Sequence, residues 1–219
     1  SYFYVRLRKN PLAYGFSLDD MKTEQLMQEK IRQRVTEAAT KLNESRMIRF
    51  DTKSGNLATT ALGRIASNYY IRCESIEVYN NMLNPILEDE EIYKMFTESQ
   101  EFKQIKLRED EMPELFHLIE EINQTWIPVK KEEVYTTFGK VISLLYGYLV
   151  RHQVEAFSLV SDMAYVVQNG VRILRALFET CLRRFWTYLA ERLLSICRTV
   201  DRRICDWESP LRQFAASTN

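Results

Sequence analysis

Seven polar side chains recur through one proline-free stretch of the chain: Tyr165, Gln168, Asn169, Arg172, Arg175, Glu179 and Arg183. At the ~100° per residue of an α-helix they fall within an arc of about 120°. A guanidinium is permanently charged and can bridge phosphate oxygens or stack on a base. An amide hydrogen-bonds a sugar or a base edge, and a tyrosine ring offers a stacking face. Spaced roughly one per helical turn, these groups describe a rail for a polyanion. Tyr165, Gln168, Asn169, Arg172, Arg175 and Arg183 are therefore the candidate nucleic-acid-binding residues. Glu179 works against them: at one-turn spacing it can pair with Arg175 or Arg183 and reduce their availability. The same pattern also describes the solvated face of an ordinary bundle helix, and pattern alone leaves both readings open.

The rail needs a rigid support. Residues 161–186 read as one helix, ~39 Å long at ~1.5 Å per residue. Met163, Val167, Gly170, Leu174, Phe178, Cys181 and Phe185 recur at three- and four-residue steps and supply its apolar face. A glycine in mid-helix costs ~1 kcal/mol relative to alanine. Gly170 on the apolar face therefore marks a place where a neighbour comes close.

With six glycines and five prolines, the remaining chain reads as helical. Ser17 to Asp20 look like a helix start, and helix runs to about Asn43. Short strands at 47–51 and 56–60 flank a turn at 52–55, and a helix covers 61–72. Helices followed by a hairpin are the outline of a winged helix, which places a first domain at 1–72. Ser75 is the expected cap of a helix over 76–83. Shorter helices follow through an acidic middle, with an interruption near Pro113 and a loop over 124–135. Apolar helices span 137–151 and, after the central helix, 186–204. Residues 73–219 thus read as a helical bundle in which Pro210-Leu211-Arg212-Gln213-Phe214 begins a further element. The fold class is mainly α, a winged helix followed by a bundle with a long central helix.

Net charge is zero but segregated. Lys and Arg against Asp and Glu number 13 to 7 over 1–73, 6 to 16 over 74–134 and 11 to 7 over 135–219. The basic ends suit an anion, and the acidic middle suits solvent or a basic partner. The longest apolar run, 141–150, is half a membrane span, and no signal peptide is present. Cys73, Cys181, Cys197 and Cys205 show no close pairing, which fits a reducing compartment. The chain opens on Ser1 without an initiator Met, as a piece of a longer polypeptide would.

Catalytic patterns are missing. Gly139-Lys140 lacks the upstream glycine of a phosphate-binding loop. Paired-Cys and HExxH metal patterns are absent, and the two histidines, His117 and His152, stand far apart in the chain. No cofactor is expected in this chain, and no turnover by it alone.

Four stretches together resemble the region downstream of the motor domains in large two-cassette Ski-type DExH helicases. They are YFYVRLRKNPLAYG (2–15), LGRIASNYYI (62–71), SLVSDMAYVVQNGVRILRALFE (158–179) and PLRQF (210–214). The resemblance extends to both the cointegrator-type and the spliceosomal-type members. It implies a winged helix, then a Sec-homology helical bundle whose central ratchet helix lines the tunnel for the translocating strand, ending here at the edge of a helix-loop-helix domain. It implies a 3′-to-5′ parent enzyme using ATP and magnesium, whose motor site has no counterpart in this chain. The implied partners are single-stranded DNA or RNA, the motor domains of the same polypeptide and other subunits of such a complex. The implied setting is nuclear and cytosolic, away from membranes. The alternative from residues alone is an all-helical protein-interaction scaffold without nucleic-acid contact, with the acidic segment 88–121 as its docking surface.

Overall fold

The computed structural model describes residues 2–130, 132–205 and 207–212. Gln213 and Phe214, part of the expected further element, lie outside the described residues. The chain divides into two compact units, Ser1–Thr60 and Ala61–Asn219. Helix dominates both, and the strands of the described residues form one small antiparallel ladder.

The first unit opens with α1 (Tyr2–Lys9) and two short 3-10 turns, followed by α2 (Glu24–Glu44). Helix α2 starts later than the Ser17–Asp20 signal predicts. Its cap is Thr23, whose Oγ1 accepts a hydrogen bond from the Leu26 amide at 3.3 Å. Strands β1 (Ile48–Phe50) and β2 (Leu57–Thr59) form the expected hairpin, with Ile48 opposite Thr59. Asp51 organises their turn by accepting from the Ser54 hydroxyl at 2.5 Å and the Lys53 amide at 3.0 Å. The core of this unit is small, with Leu7, Phe16 and Met27 buried and Tyr4, Met21 and Ile31 packed against them.

The second unit holds α3 (Ala61–Asn68), α4 (Cys73–Met82), α5 (Asp89–Thr97), α6 (Met112–Thr125), α7 (Thr137–Val150), α8 (Phe157–Arg183) and α9 (Thr187–Arg202). Helix α3 packs on α8 and belongs to this unit, so the chain divides before it, whereas the helix–hairpin pattern places a boundary at 72. Helix α7 is the apolar run of the sequence and is buried on nearly every side. A helix apolar all round must sit inside the bundle, and α8 packs against it on one side and against α9 on another. A Cβ on Gly139 would stand 2.4 Å from the Glu133 carbonyl, so the first turn of α7 can only rest on that backbone as glycine.

Lys140, the next residue, is wholly buried in the middle of this bundle. Its Nζ reaches Glu111 Oε2 at 2.5 Å, Asp162 Oδ2 at 2.7 Å and the Lys106 carbonyl at 2.8 Å. Glu111, equally buried, also accepts from Ser158 Oγ at 2.6 Å and Arg108 Nη1 at 2.9 Å. The network ties the loop before α6 to α7 and to the first turns of α8. Glu101 has a parallel role at α4. It accepts from the Arg72 amide at 2.9 Å and from the Ser75 hydroxyl. Helix α4 starts at Cys73, so Ser75, the predicted cap, lies inside its first turn, and a carboxylate from a distant turn serves the N-cap residue Arg72 instead. The two histidines also meet, with ring centroids 5.9 Å apart.

Candidate nucleic-acid interface

Helix α8 is 27 residues long, about 40 Å at ~1.5 Å per residue. It begins four residues earlier than the sequence pattern predicts and ends at Arg183. Val166, Gly170, Ile173, Leu174, Leu177 and Cys181 form its buried side, whereas Met163, Val167 and Phe178 of the expected apolar face are only half-buried. Gly170 receives the Phe96 ring of α5: an added Cβ would lie 3.1 Å from Phe96 Cζ. The close approach expected at this glycine is thus present. The Cys181 thiol, walled in by apolar groups, is pushed up to about 11. Phe185 departs from the expected apolar face. The helix ends before it, Phe185 takes a left-handed φ of 59°, and its ring is 89% exposed.

The six candidate residues separate into two groups. Tyr165 is half-buried, and its hydroxyl donates to the Glu101 carbonyl at 3.0 Å. Gln168 is exposed and has no side-chain partner among the described residues. Asn169 departs from the expected open polar face, with only 8% of its surface exposed. Its amide is consumed locally. Nδ2 donates to the Tyr165 carbonyl at 2.9 Å, and Oδ1 accepts from Arg172 Nη2 at 2.5 Å. Arg172 Nη1 donates in addition to the Tyr70 carbonyl at 3.2 Å. Tyr165, Asn169, Arg172 and the turn after α3 therefore form one connected polar strip.

Arg175 and Arg183 form the second group, farther along the helix. The Arg175 side chain is 52% exposed, and its guanidinium pairs with Asp201 of α9, which raises its pKa. Glu179 lies 3.9 Å from Arg183. Glu179 also interacts with Tyr69, whose hydroxyl is pushed up first by burial and then by that carboxylate. The pairing of Glu179 anticipated from its spacing thus goes to Arg183. Asp201, not Glu179, holds Arg175. Exposed ion pairs of this kind are each worth under ~1 kcal/mol, so neither carboxylate holds its arginine tightly.

Sequence reading misses three participants, Asp201, Tyr69 and Tyr70. All lie on other helices or turns, where periodicity within α8 carries no signal. The tyrosine pair inside LGRIASNYYI is the available hint: Tyr69 continues the inward face of Leu62, Ile65 and Ala66, and Tyr70 falls outside it.

Residues 59–212 match the Sec63 Brl domain. The chain belongs to the Sec63 Brl domain family. Across 98% of its length it is 41% identical to activating signal cointegrator 1 complex subunit 3 of Bos taurus and 40% identical to the same subunit of Homo sapiens. It is 38% identical, also over 98%, to the human U5 small nuclear ribonucleoprotein 200 kDa helicase. The two-cassette resemblance seen in the sequence thus extends over nearly the whole chain. The chain spans about a tenth of the length of these relatives.

Two further features bear on chemistry. Lys140 of the Gly139-Lys140 pair is committed to Glu111 and Asp162 in the core, so this pair does not fit a nucleoside triphosphate. Among the described residues no group of three or more His, Cys, Asp or Glu side chains could hold a metal ion, and no helix is long and apolar enough to cross a membrane.

Proposed function

We propose that this Sec63 Brl chain is a strand-guiding module of an ATP-dependent 3′-to-5′ helicase, with the polar face of α8 as one wall of the path taken by a single strand of DNA or RNA. The observation that carries the reading is Arg172. Its guanidinium is held by Asn169 and by the Tyr70 carbonyl, yet has no carboxylate partner among the described residues. A fixed, unneutralised guanidinium beside exposed Gln168 is a phosphate or base contact with its geometry already set.

Arg175 and Arg183 extend the wall, exchanging weak carboxylate partners for phosphates as the strand advances. Tyr165 acts from behind, bracing α8 against the turn that bears Glu101. ATP and magnesium belong to motor domains elsewhere in the polypeptide. Those motor domains form the opposite wall and supply the stroke. The further partners are subunits of a cointegrator-type or spliceosomal-type complex, and the setting is nuclear and cytosolic. Unwinding by the full-length protein carrying Arg172→Ala is the test. Slow unwinding at unchanged thermal stability supports the reading. Normal unwinding overturns it in favour of a protein-interaction scaffold.

A further inference from the structure

Tyr70 is a residue whose conformation its own packing does not explain. Helix α3 ends in a Schellman turn. The Ile71 amide donates to the Ala66 carbonyl at 2.8 Å and the Tyr70 amide to the Ser67 carbonyl at 3.3 Å. The residue at the left-handed position of such a turn is normally glycine or asparagine, because a Cβ is strained there. Here it is tyrosine, at φ 54°. The strain is not offset by burial, since the ring is 78% exposed. Neighbouring Tyr69, by contrast, is half-buried and interacts with Glu179.

Strained residues held in place by their surroundings concentrate at functional sites. The surroundings in this case are the rail itself, since Arg172 grips the Tyr70 carbonyl and Asn169 grips Arg172. Phe185 occupies the equivalent turn after α8 and is also exposed, but it lines an apolar hollow with Pro85, Ile86 and Tyr188. Tyr70 alone of the two is tied to an arginine of the polar strip.

We infer that the Tyr70 ring is a stacking platform for one base of the single strand, positioned so that Arg172 can take an adjacent phosphate. This rests on the strand-guiding reading and adds to it a contact from outside α8. A π-face accepts any base, so the platform would hold the strand without reading its sequence.

The test uses the full-length protein with short oligouridine and oligodeoxythymidine probes, each carrying one fluorescent adenine analogue, at several salt concentrations. Tyr70→Gly keeps the backbone carbonyl for Arg172 and relieves the turn, while Tyr70→Phe keeps the ring. The expected result is that Tyr70→Gly binds roughly five- to a hundredfold more weakly and loses quenching of the fluorescent base. Its salt dependence stays unchanged, because no charge is removed, and its melting temperature is not lowered. Tyr70→Phe binds like wild type. If Tyr70→Gly binds normally while Arg172→Ala is weakened, the platform is refuted and the rail survives. If both bind normally, both readings fall. A Tyr70→Gly loss accompanied by a lower melting temperature also refutes the platform, since the ring would then be structural.

Discussion

Replacing Lys140 by methionine removes one charge from the centre of the bundle while nearly keeping side-chain volume. In the wild type its ammonium contacts Glu111, Asp162 and the Lys106 carbonyl, and both Lys140 and Glu111 are fully buried. Removing one partner of a buried pair costs about 3–5 kcal/mol, because the other charge stays behind uncompensated. Arg108 and Ser158 still serve Glu111, and Asp162 is partly exposed, so the lower half of that range is expected. The pH dependence should change sign. Burial pushes the Glu111 carboxyl up. The hydrogen bonds from Lys140 and Ser158, with the charges of Lys140 and Arg108, outweigh it and hold the pKa below its ordinary 4.5. A folded-state pKa below the unfolded one gives stability that is fully present above about 4.5 and lost as pH falls through the folded value. Without Lys140 the burial effect dominates, so protonation of Glu111 favours the folded chain. Lys140→Met should therefore lose stability at neutral pH and recover part of it as pH falls toward about 5. The double variant Lys140→Met/Glu111→Gln should recover much of the loss at neutral pH. Urea unfolding across this pH range measures all three. A loss below about 1 kcal/mol, or a wild-type pH profile in Lys140→Met, would refute the reasoning.

Two other perturbations follow from packing. Gly170→Ala should be nearly neutral in thermal unfolding, since Phe96 need give only a few tenths of an ångström and alanine favours helix. Gly170→Leu should cost about 1–3 kcal/mol through overpacking, and an unchanged melting temperature would contradict the Phe96 contact. Gly139→Ala should destabilise more than Gly170→Ala, because its methyl meets backbone rather than a ring edge. Among the thiols, Cys197 is pushed up to about 12 by burial first and Asp201 second, and Cys181 to about 11 by burial. Half-exposed Cys73 should therefore react first with a maleimide at neutral pH, followed by mass spectrometry, while the buried thiols wait for unfolding.

The helical class and the hairpin were legible in the sequence because each rests on a period within a single element. The face of α8 was legible only in part: Gly170, Leu174 and Cys181 are buried as the period predicts, but the buried side is rotated toward Val166, Ile173 and Leu177. The approach at Gly170 was legible for a related reason, since an interior glycine in a good helix demands a close neighbour. Contacts across elements were not. Glu101 caps α4 from a turn 26 residues beyond Ser75, and Asp201 claims Arg175 from the next helix. Asn169 faces the polar side by angle, yet it is buried because its amide serves Tyr165 and Arg172 instead of solvent. The helix start at Thr23 was missed because Ser17 to Asp20 offer equally good capping chemistry, and the chain spends them on a 3-10 turn. Phe185 was missed because apolar periodicity continues past the residue at which α8 stops.

The strand-guiding account is tested most directly by the salt dependence of single-strand binding in the full-length protein, compared between wild type, Arg172→Ala and Arg175→Ala. On a single strand each phosphate contact contributes about 0.7 of a unit to the slope of log affinity against log salt concentration. The account predicts that each variant binds more weakly and that its slope flattens by about 0.7 of a unit. Slopes equal to wild type in both variants would contradict it, leaving Arg172 and Arg175 as surface residues of a scaffold.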